Sequence, residues 1–203
     1  MAVMIIDYGM SNLGSIKSSI EECGASAYIS DNPGDFKNAE RIILPGVGAF
    51  PDGMKNLRER KWIEPLKNEV LINKIPLLGI CLGMQLLASF GFEVEKTEGL
   101  DFVKGNVVKF ISQNGERIPH VGWNEIHKQK SSIIFEGLAD KTDFYFVHSF
   151  HLSPYNNDDI IAFTPYCGNF VSAIEHQNIF GVQFHPEKSQ KAGFRLLKNF
   201  LNY

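Results

Sequence analysis

Residues 77–90 read LLGICLGMQLLASF. KIPLLGI (74–80) is short, apolar and bounded by turn formers, which predicts a buried strand, and LGMQLLASF (82–90) predicts a helix. Between them lies Gly79-Ile80-Cys81-Leu82-Gly83, a G-x-C-x-G pentapeptide and the thiol counterpart of the nucleophile elbow. A sharp strand-to-helix turn brings its backbone close to its neighbours, which favours small flanking residues. It also sets the sulfur near a helix N-terminus, whose partial positive charge favours thiolate. A plain buried cysteine in a glycine-rich turn is the competing reading of these five residues.

Working outward, VMIID (3–7) is another short apolar run that ends in an acid. SNLGSIKSSIEECG follows with apolar residues at 13, 16, 20 and 23, a helical spacing that Ser11 or Asn12 can cap and Gly24 can end. SAYIS and RIILPG predict two more strands. PDGMKNLRERKWIEPLKNEV (51–70) predicts a helix broken at Pro65. This alternation of strand and helix predicts a mainly parallel sheet with helices on both faces. After Gly91, NVVKFI, HVGWNEI, SIIF, FYFVHSF, IIAF, FVSAIEH and IFGVQF predict short strands that extend the sheet, partly antiparallel, with hairpins. SQKAGFRLLKNFLNY predicts an amphipathic helix with Phe194, Leu197 and Leu201 toward the core. We expect one α/β domain over residues 1–203, with a central mixed, mostly parallel sheet flanked by helices.

Composition narrows the functional classes. Of 203 residues, 44% are hydrophobic, enough for a sizeable core, and 20 Lys and Arg against 23 Asp and Glu give a net charge of −3. That balance argues against a nucleic-acid or anionic-membrane surface. The N-terminus lacks a basic region, and no run approaches the roughly 18 apolar residues of a membrane span, so a cytoplasmic location is expected. Cys23, Cys81 and Cys167 have neither an even number nor CxxC spacing, which disfavours a disulfide framework or a zinc site. None of the histidines has HExxH-type spacing. No metal or cofactor is expected.

A thiol nucleophile needs a base, and the base an orienter. FGVQFHPEKSQ (180–190) offers both. His185 and Glu187, two apart in extended chain, point to the same side roughly 6.5 Å from each other. A carboxylate there can hold one imidazole nitrogen while the other faces a thiol. An exposed polar turn after a strand is the bland alternative. LPGVGAFPDGM (44–54) adds a loop in which Gly46 and Gly48 flank Val47. A peptide N–H from this loop, with that of Leu82, can bind an oxyanion. No GKS or GKT follows, so it is not a phosphate loop.

In combination, GICLGMQ and a late HPE resemble the class I, or triad, glutamine amidotransferases, whose fold is flavodoxin-like. The resemblance runs from residue 3 to residue 202. IIDYGMSNLGSI, LPGVGAF, GICLGMQLL, IPHVGWNEI, YFVHSF and GVQFHPEKSQ appear in the order of the branch that supplies a (β/α)8-barrel synthase. The resemblance implies a glutaminase in which Cys81 is the nucleophile, His185 the base and Glu187 its orienter. It places Val47 and Leu82 at the oxyanion positions. It places Gly48, Gln85, Glu93 and the backbone of His148, Ser149 and Phe150 around substrate L-glutamine. Asn12, Trp123, Tyr145 and Lys188 match interface and gating positions. The implied partner is a barrel synthase that receives ammonia directly, in a heterodimer whose loading reorients the PGVG peptide.

The segment LLASFGFEVEKTEG (86–99) departs from the acid-rich stretch usual in the family, although Glu93 keeps the expected distance from Cys81. GLDFVKG, Phe150 and Cys167 in TPYCGNF depart as well. Two acceptors fit the resemblance: a nucleotide of histidine synthesis, or a surface sugar receiving an acetamidino group in a paralogous branch. A cysteine hydrolase of similar fold would have the elbow without PGVG, Gln85 and PHVGWN. An inactive regulatory subunit would lack part of the triad, and all three residues are present.

Overall fold

A computed structural model describes residues 1–203. In chain order it contains β1 (Ala2–Ile6), α1 (Leu13–Glu22), β2 (Ser26–Ser30), β3 (Arg41–Leu44), α2 (Phe50–Glu59), α3 (Ile63–Lys67), β4 (Leu77–Ile80), α4 (Leu82–Leu86), β5 (Phe90–Gly91) and β6 (Thr97–Glu98). It continues with β7 (Gly105–Lys109), β8 (His120–Lys128), β9 (Thr142–His148), β10 (Phe150–Pro154), β11 (Ile160–Pro165), β12 (Asn169–His176), β13 (Ile179–Val182) and α5 (Gln190–Asn202). Nine strands form one sheet in the order β2-β1-β3-β4-β13-β12-β11-β8-β9. A second sheet, β10-β7-β5-β6, lies beside it.

β1 shows why the sheet takes helices on both faces. Val3 and Ile5 enter one core with Ile16 and Ile20 of α1 and Leu196, Leu197 and Phe200 of α5. Met4 and Ile6 enter the other with Phe50, Met54 and Leu57 of α2 and Leu82 and Leu86 of α4. Successive strand residues point to opposite faces, so a run buried on both sides reads as continuously apolar rather than alternating. Each such Val, Ile or Leu contributes about 1.5–3 kcal/mol when fully buried.

The sheet is mixed, as expected, but its balance differs. The four pairings from β2 to β13 are parallel, and the four from β13 to β9 are antiparallel. Short turns join β11 to β12 and β12 to β13, and only antiparallel pairs can be joined that way. The predicted helix over 51–70 breaks at Arg60–Trp62, where Lys61 has φ +59°, and not at Pro65. Pro65 sits in the first turn of α3, where a missing N–H breaks no intrahelical bond. Asn12 occupies the N-cap of α1 without a side-chain cap bond, and Gly24 ends that helix at φ +93°.

SIIF is a 3-10 turn rather than a strand, with the Ile134 and Glu136 carbonyls accepting from Asn199 Nδ2 of α5. In α5, Leu196 and Phe200 are fully buried beside Leu197, whereas Phe194 is only half-buried. α4 is also shorter than predicted. The carbonyls of Leu86, Leu87 and Ala88 accept from the backbone of residues 100–103, so the chain turns out of the helix after one and a half turns. No helix is long and apolar enough to cross a membrane.

Candidate active site

β4 and β13 are parallel neighbours with Ile80 paired to Val182, so the residues just beyond their C-terminal ends meet. Cys81 follows β4 directly, and His185 lies three residues past β13. This is where open α/β sheets place their sites. Cys81 has φ +54° and ψ −111°, a conformation that costs a non-glycine residue on the order of 1–3 kcal/mol and persists only where the surroundings impose it. Neither flanking glycine has positive φ; close approach is what requires them. A Cβ on Gly79 would lie 2.9 Å from the backbone of Gly83, and one on Gly83 would lie 1.8 Å from the Leu44 carbonyl oxygen.

His185 and Glu187 meet through a turn, not through extended chain. Pro186–Lys188 form a 3-10 turn that brings Glu187 Oε1 to 2.8 Å from His185 Nδ1. The two side chains are only 3% and 5% exposed. The carboxylate is an acceptor, so Nδ1–H donates and Nε2 is the free nitrogen. It is buried and forms no hydrogen bond. Burial on its own lowers the His185 pKa, but contact with Cys81 and the bond to Glu187, with their negative charges, outweigh it and hold the imidazole above its usual range. The turn is tied to β9: His185 N–H donates to the Tyr145 carbonyl at 2.9 Å. Ser189 Oγ donates to the His185 carbonyl at 2.6 Å and accepts from Tyr145 N–H at 3.0 Å.

A cleft of about 300 Å³ opens beside Cys81. Val47, Gly48, Leu82, Gln85 and Glu93 line it, together with the 147–150 segment. The structure therefore brings together every residue for which the sequence suggested an oxyanion or glutamine contact. Gln85 Nε2 donates to the Phe150 carbonyl at 2.8 Å and to Gln183 Oε1 at 3.0 Å. Glu93 spends one oxygen on the first turn of α2, accepting from Phe50 N–H at 2.8 Å.

The expected oxyanion donors are both engaged elsewhere. Val47 N–H donates to the Met10 carbonyl at 2.7 Å, and Leu82 N–H donates to the Gly46 carbonyl at 3.3 Å. Gly48, at φ +112°, supplies the unusual backbone of this loop, whereas Gly46 has no positive φ.

Asn12, Trp123, Tyr145 and Lys188 do not line the cleft. Asn12 and Lys188 are exposed, Trp123 packs edge-on to Tyr145 at 6.1 Å between centroids, and Lys188 Nζ lies 5.8 Å from the Tyr145 ring. Cross-strand pairing sets Val121 opposite Val147 and Trp123 opposite Tyr145. With Val121 57% and Trp123 49% exposed, this is an apolar outer face at the rim of the cleft.

Three features escape a reading of motifs. Gln183 is fully buried, and its Nε2 lies 3.6 Å from Cys81 Sγ; one polar residue inside the apolar IFGVQF was the available signal. Tyr8 is fully buried near Cys81. His120 and His148 form a directional chain: Asn124 Nδ2 donates to His120 Nε2 (3.3 Å), His120 Nδ1 to His148 Nε2 (3.1 Å), and His148 Nδ1 to the Phe150 carbonyl (2.8 Å). Each imidazole must be neutral to accept at Nε2. Burial pushes His120 down to about 4 and His148 to about 3, the latter aided by nearby histidines. It lowers His151 as well.

Unfolded imidazoles take up protons near pH 6.5, so between about pH 6.5 and 3 the unfolded chain binds more of them. Stability should fall across that window by a few kcal/mol. The raised His185 adds stability that is lost only in alkali. Urea midpoints at pH 7, 5 and 4 check this, and His120→Phe should flatten the slope.

A strained thiol elbow thus lies beside a buried imidazole–carboxylate pair at the ends of two neighbouring parallel strands. The sequence profile described as Glutamine amidotransferase class-I matches residues 4–202, and the chain belongs to that family. It is similar to the imidazole glycerol phosphate synthase subunit HisH 1 of Campylobacter jejuni (strain RM1221), at 45% identity over 98% of each chain. It is 39% identical to subunit HisH 2 of Pseudomonas aeruginosa, again over 98% of both. Among solved structures, PurLQS from Thermotoga maritima matches 100% of this chain and 98% of that one, with TM-score 0.77 and 19% identity. A structure described as glutamine amidotransferase matches 98% and 97% with TM-score 0.75 and 17% identity. These structural likenesses concern the fold.

Proposed function

We propose that this chain is the glutaminase subunit of an imidazole glycerol phosphate synthase. It hydrolyses L-glutamine to glutamate and passes ammonia to a (β/α)8-barrel cyclase subunit, which forms imidazole glycerol phosphate and AICAR in histidine biosynthesis. The observation that carries the chemistry is Cys81, held at φ +54° beside the His185–Glu187 pair. The relatives' names favour this acceptor over the surface-sugar one.

The Cys81 thiolate attacks the side-chain amide carbon of glutamine. His185 Nε2–H then gives its proton to the departing ammonia, leaving a thioester on Cys81. Water attacks the thioester, His185 takes its proton, and glutamate leaves. Glu187 keeps the imidazole in the tautomer whose Nε2 faces the sulfur. Gly48, Gln85, Glu93 and the backbone of His148, Ser149 and Phe150 hold the substrate.

Stabilising the tetrahedral oxyanion requires Val47 and Leu82 N–H, which are both bonded elsewhere in this arrangement. One rotation of the Gly46–Val47 peptide releases both. The barrel partner sets that rotation by docking over the apolar rim, where Trp123, Tyr145, Lys188 and Asn12 meet it. Ammonia released into bulk water would be protonated, so a docked acceptor is part of the function.

Glutamate release by the chain alone, compared with the chain plus barrel subunit and its nucleotide ligand, tests this. A missing oxyanion donor costs about 10²–10³-fold in rate, so stimulation of at least about 100-fold is expected. Equal rates with and without the partner would overturn the coupling. Stimulation only by a sugar-modifying barrel would overturn the acceptor.

A further inference from the structure

Tyr8 follows β1 and sits beneath the Gly46–Val47 turn. Its side chain is fully buried, and its hydroxyl has no hydrogen-bond partner. A buried hydroxyl left unpaired is destabilising, and Phe would occupy the same space without that penalty. The hydroxyl is pressed against Gly46: a Cβ placed there would lie 2.3 Å from it. Burial drives the Tyr8 pKa upward, and the charge of Cys81 adds to this, so the group stays a neutral O–H close to the nucleophile.

The peptide above it is bonded in the sense that blocks oxyanion binding. The Gly46 carbonyl accepts from Leu82 N–H at 3.3 Å, while Val47 N–H donates to Met10 at 2.7 Å. Rotating this peptide frees Leu82 N–H and swings Val47 N–H over, but it also takes the Gly46 carbonyl away from its donor. Gly46 is buried, and a buried carbonyl needs a partner in whichever orientation it adopts. The Tyr8 O–H, uncommitted and against Gly46, is at hand to supply one.

We infer that Tyr8 is the positioning residue of the oxyanion turn: when the Gly46–Val47 peptide rotates, the Tyr8 hydroxyl donates to the Gly46 carbonyl and holds the rotated form. In the arrangement seen here, Leu82 satisfies the carbonyl and Tyr8 is unpaired. In the rotated one, Tyr8 takes over and Leu82 is released to the substrate. The unpaired hydroxyl thus biases a two-state peptide toward its active form. Glycine at 46 serves both states, since any side chain would displace the hydroxyl. The inference rests on the glutaminase function proposed above.

The test is Tyr8→Phe in the full chain, assayed for glutamate release with saturating barrel subunit and nucleotide, beside urea unfolding of the isolated chain. We expect kcat to fall about 10–100-fold, less than the loss of an oxyanion donor itself, with KM for glutamine within about twofold. The urea midpoint should stay or rise, because no bond is lost in the unrotated form. A lowered midpoint with stimulated kcat intact would make the hydroxyl a prop of the resting fold and overturn the inference. Unchanged kcat and midpoint would overturn it too. If the wild-type pair releases no glutamate in the same assay, the glutaminase function falls, and this inference with it.

Discussion

Cys81→Ala is expected to lower glutamine hydrolysis by at least about 10⁴-fold, because the residues of the proposed triad act as a unit and losing the proposed nucleophile removes almost all of their contribution. Ammonia-driven synthesis by the proposed barrel partner should survive, since free ammonia replaces the supply that Cys81 would provide. Folding should be preserved or improved. Alanine keeps the small volume, and the positive φ remains no worse for it than for cysteine. Measuring glutamate release and ammonia-dependent product formation on one preparation separates the two activities. Glutaminase activity persisting in this variant would remove Cys81 from the mechanism.

The largest effect on stability is expected at Gly83. A Cβ there would lie 1.8 Å from the Leu44 carbonyl oxygen and 2.7 Å from its carbon. Both are backbone atoms of β3, which is hydrogen-bonded between β1 and β4, so neither side can yield without parting the sheet. Gly83→Ala should therefore cost more than about 4 kcal/mol, lowering Tm by roughly 10 °C or more for a chain of this size. Gly14→Ala is the control. Gly14 lies in α1 with no atom within 4 Å of its added Cβ, and alanine there should stabilise by about 0.5–1 kcal/mol. Thermal melts of the two variants side by side decide the matter: comparable Tm values would mean that the elbow backbone is more pliant than its packing indicates.

The candidate catalytic residues were legible because each has a local cause. Gly79 and Gly83 flag the elbow since backbones touch there. His185 and Glu187 flag a pair since they are two apart, although a 3-10 turn and not an extended strand joins them. Elements failed where a distant group settled the backbone. Asn199 of α5 takes the carbonyls of Ile134 and Glu136, in and just after SIIF, which forms a 3-10 turn. Residues 100–103 take those of Leu86 to Ala88 and cut α4 short.

Hydrophobic runs, turn residues and the G-x-C-x-G and HPE spacings are properties of neighbouring positions, and from them came the α/β class, the parallel character of the first half and the candidate nucleophile and base that the family resemblance joins into a triad. Which way the Gly46–Val47 peptide faces, whether Val47 and Leu82 are available as donors, and what Tyr8, Gln183 and His120 touch depend on groups tens of residues away. A peptide can turn over with little change in its local propensities. Its orientation is chosen by the hydrogen-bond partners that folding brings to it, here Met10 on one side and Leu82 on the other.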